Sequence, residues 1–299
     1  MKINSKLVLA LLMMIVLFMG FNSNEIYAAE KEGKAEKVDV VKLKKELVEK
    51  HKNKVKKYKI TELKDRTELI ESEIHKMYQE GLSEDEINQR TNELGLYKLN
   101  IPEEEPTFSI NSIRSNVTLS KPSIYYDSFS SQWVVSANGS WLNEGWKADV
   151  PLCCYPINIG YDDAFGITYY NTSGTYATVV KGSSFVARSS KGWTQSSSYP
   201  SDGNGKIGVA FQYQDRVRLY QTCCNAIEYL GESLSVVMTY DSGFSKFNGY
   251  ARTFYTHTWD ESDITGITFG VGKGSYNVDV RLSDTVKGWT IYSTGDTAF

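Results

Sequence analysis

Histidine is scarce in this chain. Only His51, His75 and His257 occur in 299 residues, and only His257 falls in the half where strands are expected. Zinc hydrolase sites built from several histidines are thereby excluded from that half. The sequence also lacks a Gly-x-Ser-x-Gly elbow, a His-Glu-x-x-His motif and a phosphate loop, so no common catalytic signature applies. Basic excess is missing too: 33 Lys+Arg stand against 36 Asp+Glu. That balance leaves no electrostatic footprint for nucleic acid. Residues 30–105 contain no Trp and no Cys. Beyond one N-terminal apolar run, no segment is apolar enough to span a bilayer.

That run covers residues 7–21, comes after Lys2 and Lys6, and precedes the small pair Ala28 and Ala29. The three parts predict a secretory signal peptide over 1–29. Its apolar stretch is shorter than the roughly 20 residues a span requires, which favours cleavage over retention. The bulky Tyr27 leaves an uncleaved anchor as the alternative. The mature chain is expected outside the cell, with no stable membrane span and no lipid anchor.

Past residue 29 the chain divides by composition. Residues 30–101 carry about half of all charges and show helical periodicity, with Leu43, Leu47, His51, Val55 and Tyr58 on one stripe and Leu63, Ile70, Ile74 and Met77 on another. Ser83 with Glu86 forms a capping-box signal for a third helix, and Gly81 and Gly95 supply helix stops. The apolar stripes are thin, so these helices are expected to pack on the rest of the chain, self-associate or stay partly disordered. The Lys-rich stretch 50–59 is bracketed by Glu46, Glu49, Glu62 and Asp65 and reads as a solvated face. Two prolines around three glutamates at 102–106 predict an extended linker.

Residues 107–299 read as a mainly β domain. Short strands at 133–136, 165–170, 176–181, 207–213, 217–220, 233–240, 249–259, 266–271, 276–282 and 289–293 alternate with turn residues, including a hairpin signal at Asn138-Gly139. The pattern predicts an antiparallel β-sandwich, jelly-roll-like in class, preceded by the charged α-helical region. On 249–259 both faces are half apolar, so neither is plainly the core.

The four cysteines form two vicinal pairs, Cys153-Cys154 and Cys223-Cys224. In a secreted chain they predict disulfides, with cross-links between the pairs favoured and at least one pair in a loop or bulge. A four-thiolate zinc site is disfavoured because the doublets lack the usual gap between ligands.

Any histidine-based catalysis in the β domain must run through His257, with Asp260 and Glu261 just downstream as candidate partners, and Asp215 is a further candidate carboxylate that the sequence does not pair. Asp162 and Asp163 are candidate calcium ligands, although Asp at strand ends commonly caps turns. No other cofactor is indicated. Tyrosines in excess of what a core absorbs suggest a surface that stacks on sugars, with Trp146, Tyr255, His257 and Trp259 as candidate ligand-binding residues. The leading expectation is a secreted, non-catalytic protein binding a cell-wall glycan or surface protein through that aromatic face. The alternatives are a pore-forming or antibacterial protein whose Ser/Thr-rich stretch 176–198 enters a membrane barrel, and a hydrolase using His257 or a carboxylate pair.

Overall fold

The computed structural model describes residues 38–52, 63–102, 116–149, 157–172, 178–219, 227–272 and 275–299. The signal-like segment, most of the 102–106 linker and all four cysteines lie outside these residues.

Among the described residues three helices come first: α1 (Val40–His51), α2 (Leu63–Gln79) and α3 (Glu84–Glu93). The capping box forms as expected, with Ser83 accepting from the Glu86 N–H and the Glu86 carboxylate accepting from the Ser83 N–H. The strands beyond them build two antiparallel sheets and a separate hairpin. The first sheet runs β1 (Leu96–Lys98), β3 (Ser123–Asp127), β4 (Gln132–Trp141), β11 (Ser233–Tyr240), β6 (Val180–Arg188), β7 (Thr194–Ser197), with β2 (Val117–Leu119) also on β4. The second runs β10 (Ile227–Leu230), β9 (Gly208–Leu219), β5 (Ile157–Asn171), β12 (Gly249–Thr258), β15 (Gly288–Tyr292). Two short strands, β8 (Asp202–Gly203) and β16 (Thr297–Ala298), pair with β9 and β12. The hairpin is β13 (Ile264–Gly272) with β14 (Ser275–Leu282).

Period-two alternation puts Trp133, Val135 and Ala137 of β4 and Leu234, Val236 and Met238 of β11 on one inner face. They meet Phe165, Ile167 and Tyr169 of β5, Val209, Phe211 and Tyr213 of β9, and Ala251 and Tyr255 of β12. This is the sandwich core. The outer face of the first sheet is covered by Ile70, Ile74 and Met77 of α2 and Ile87 of α3, which pack on Tyr125, Val134 and Val237. Packing on the β layers is therefore the fate of these helices. The hairpin covers the outer face of the second sheet, where Ile264, Ile267 and Val278 meet Ala164, Ala210 and Phe254. The ambiguity of β12 is thus explained: both of its faces are buried, one in the core and one under the hairpin.

Two local expectations fail. Asn138-Gly139 makes no turn; it lies inside β4. Glycine is needed there for space, because a Cβ at 139 would sit 2.7 Å from Leu119 Cδ2 and 3.1 Å from Phe165 Cε2. Nor is there a hairpin at 214–216, since β9 runs through it without a break.

Candidate functional site

At one end of the sandwich the inner faces change from apolar to polar. On β5 the residue two before Phe165 is Asp163, on β9 the residue two after Tyr213 is Asp215, and on β12 the residue two after Tyr255 is His257. Side chains two apart share a face, so three neighbouring strands aim one carboxyl, another carboxyl and an imidazole into the same space. All three side chains are fully buried. The register of β5 against β9 shifts between Asn158 and Asp162, a bulge in which Gly160 takes φ 61°. A side chain at 160 would meet the backbone of Trp259 at 2.8 Å, so this bulge lets β5 lie close against the end of β12.

Asp163 gathers donors. Its Oδ2 accepts from the Tyr255 hydroxyl at 2.6 Å and the Tyr213 hydroxyl at 3.3 Å, and its Oδ1 accepts from the Thr258 N–H at 2.8 Å. His257 Nδ1 lies 2.9 Å from Oδ2 and 3.1 Å from Oδ1. Asp215 Oδ2 accepts from the Tyr229 hydroxyl at 2.9 Å and stands 3.7 Å from His257 Nδ1. The other ring nitrogen, Nε2, faces Asp149 Oδ2 at 3.5 Å. Asp149 ends the short 3-10 turn Gly145–Asp149 and is partly exposed. Trp141 stands edge-on to the imidazole at 5.3 Å, and Trp289 and Trp259 lie 5.4 and 6.0 Å from it.

The electrostatics are set by burial. Desolvation pulls His257 down, but Asp163, Asp149 and Asp215 outweigh it and hold the imidazole up at about 10. Burial and then the Asp163 charge push Asp215 well above the usual carboxylate range, against opposing pulls from His257 and the Tyr229 hydroxyl. Tyr213, Tyr229 and Tyr255 are likewise pushed up, first by burial and then by neighbouring charge. The arrangement holds protons tightly. Ligating atoms of Asp163, Asp215 and His257 lie within 4.8 Å of one another, so this group could hold a metal ion.

Of the residues singled out in the sequence, Asp163, Asp215, Tyr255 and His257 come together here. Trp146 is buried behind them, stacked on Tyr229 at 4.7 Å, and Trp259 is half-buried. These four aromatic candidates therefore do not form an exposed plate, and the core absorbs far more tyrosine than expected: Tyr125, Tyr126, Tyr169, Tyr213, Tyr229 and Tyr240 are all buried. Asp162 faces the opposite side of β5 from Asp163, so the two cannot grip one ion. Asp260 points away from the cluster and pairs with Lys287 at 3.3 Å. Asp149, Tyr213, Tyr229, Trp141 and Trp289 are additions to the sequence reading. The alternation Phe211, Tyr213, Asp215, Val217 marks a buried face and would have revealed one of them, Tyr213, had 214–216 not read as a turn.

A second feature is open to solvent. A groove of about 880 Å³ runs between the α2–α3 corner, the segment after β1 and the start of β12. Asn100, Asn138, Ser140 and Thr294 line it with amides and hydroxyls, while Pro122 and the half-buried Tyr250 contribute apolar surface.

No family model matches this chain, and no curated protein or solved structure does either.

Proposed function

We propose that the protein is an extracellular, non-catalytic binding protein that holds a glycan in this groove. The observation that carries the reading is the groove itself. Its volume falls in the range of ligand sites, roughly 300–1,000 Å³, and amide and hydroxyl groups beside apolar plates match the alternating O–H and C–H faces of a sugar ring. The acid–base cluster supports a non-catalytic reading from the other side. Asp163, Asp215 and His257 are closed to solvent, and general acid–base catalysis needs contact with substrate. Secretion is supported by the signal-like segment over 1–29, and cross-links between the two cysteine pairs belong to the same reading.

Pull-down on insoluble cell-wall polysaccharide tests this. The mature chain is expected in the pellet, and Tyr250→Ala and Asn138→Ala are expected to release it by about tenfold, the effect of losing one stacking face or one bidentate amide. A wild-type chain that stays in the supernatant sinks the glycan. Capture by a wall protein after the polysaccharide is removed would replace the glycan with a protein ligand.

A further inference from the structure

We infer that the buried cluster at the end of the sandwich is a site for a divalent transition-metal ion of the zinc class, with His257 Nε2 and Asp149 as ligands and Asp163 orienting the imidazole. This stands apart from the groove. The two ring nitrogens of His257 have different surroundings. Nδ1 lies 2.9 Å from Asp163, whose own position is fixed by the Thr258 N–H and the Tyr255 hydroxyl. A carboxylate on one nitrogen, itself held by further donors, is the usual support of a metal-binding histidine.

Nε2 is buried and, among the described residues, has no hydrogen-bond partner. Its separation of 3.5 Å from Asp149 Oδ2 is too long for a good hydrogen bond. Two ligands about 2.1 Å from one tetrahedral ion stand about 3.4 Å apart, which fits. A buried polar atom left unpaired is costly, and an ion between Nε2 and Asp149 would satisfy it.

Charge points the same way. Three carboxyls, Asp149, Asp163 and Asp215, surround one imidazole, and among the described residues no lysine or arginine pairs with any of them. A divalent cation offsets that excess. Imidazole with carboxylates suits zinc better than calcium, which prefers six to eight oxygens. Asp149, with its side chain 23% exposed, gives the ion a way in.

The test uses the mature chain, purified without a histidine tag, stripped with chelator and titrated with Zn²⁺ by calorimetry. One ion per chain and a higher Tm are expected. Asp149→Ala sits on a partly exposed turn, so its fold should survive, and the affinity should fall about 100-fold. Asp163→Asn should weaken binding by about 10- to 100-fold through the lost orientation. Any of three results overturns the assignment: a folded apo protein that takes up no Zn²⁺, affinity unchanged in Asp149→Ala, or binding abolished by alkylating free thiols, which would place the ion on cysteine. Preference for Ca²⁺ over Zn²⁺ would overturn the donor set.

Discussion

Asp127 ties a helix to a sheet through one buried carboxylate. Arg66 of α2 donates from Nε to Oδ2 at 3.1 Å and from Nη2 to Oδ1 at 2.7 Å, and both side chains are almost entirely buried. Asp127 also accepts from the Phe129 N–H at 3.1 Å. Removing one partner of such a pair strands the other's charge in a poorly solvated space, which costs about 3–5 kcal/mol, whereas replacing both by apolar residues can be nearly neutral. Asp127→Ala is therefore expected to lower unfolding stability by that amount in urea titrations, and the double variant Arg66→Met with Asp127→Leu by clearly less. A cost for Asp127→Ala under about 1 kcal/mol would show that the pair behaves like a surface bridge. Little of this is legible in the sequence. Nothing in the spacing of Arg66 and Asp127 marks them as partners, because strand register and helix docking bring them together. The cluster at His257 is similar. Scarcity of histidine in the β half makes His257 conspicuous, and Asp163 and Asp215 are visible as candidates, but their meeting depends on β5 lying between β9 and β12.

At the scale of an element, α2 shows opposing titrations on one face. His75 sits between the Ser235 and Ser184 hydroxyls at 2.7 and 2.8 Å, and burial pulls it down to about 4. Glu71, one turn earlier, is pushed up to about 7, first by burial and then by Glu68, against a hydrogen bond from Ser184. An unfolded histidine takes up its proton near 6.5, so keeping His75 neutral costs stability as pH falls from 6.5 to 4. Glu71 has the reverse sign. Its contribution is fully present below 4.5 and is lost as pH rises toward 7. Between pH 4.5 and 6.5, unfolding takes up one proton and releases another, so the two slopes cancel. Glu71→Gln should uncover the histidine, with stability relative to wild type falling by about 3 kcal/mol between pH 6.5 and 4. Urea midpoints across that range measure it; a variant that tracks wild type at every pH would refute the pairing. Elements are the most legible level. The capping box at Ser83, the stripe Ile70, Ile74, Met77 and most strands are readable because local periodicity decides them. The failures at 138–139 and 214–216 share a cause: residue types that favour turns sit inside strands where neighbouring packing overrides local preference.

For the whole molecule, the question is whether the charged N-terminal region is an accessory or part of the core. Thin stripes and dense charge suggest the former. Yet Lys44 of α1 is fully buried, donating from Nζ to the Phe244 and Phe247 carbonyls at 3.0 and 2.6 Å and lying over the Phe244 ring at 4.5 Å. Burial alone pulls its amine down to about 7, while the two carbonyl acceptors and the ring favour the charged form. Val40 belongs to the same cluster as Trp133, Phe244 and Phe299, with Leu43, Leu47 and Val48 packed against it. Helix α1 thus closes one end of the sandwich, and the metal-competent cluster lies among Trp141, Trp259 and Trp289. A chain starting at residue 53, without α1, should therefore leave Phe244, Phe299 and two backbone carbonyls open to water. The expected result is a lower Tm, a changed near-UV spectrum from Trp133, and dye binding to exposed apolar surface, while a chain starting at 38 behaves as the longer one does. Should the chain from 53 match the chain from 38 in Tm and in dye binding, α1 would be an appendage, and the helical region would stand as a segment added to a self-sufficient sandwich.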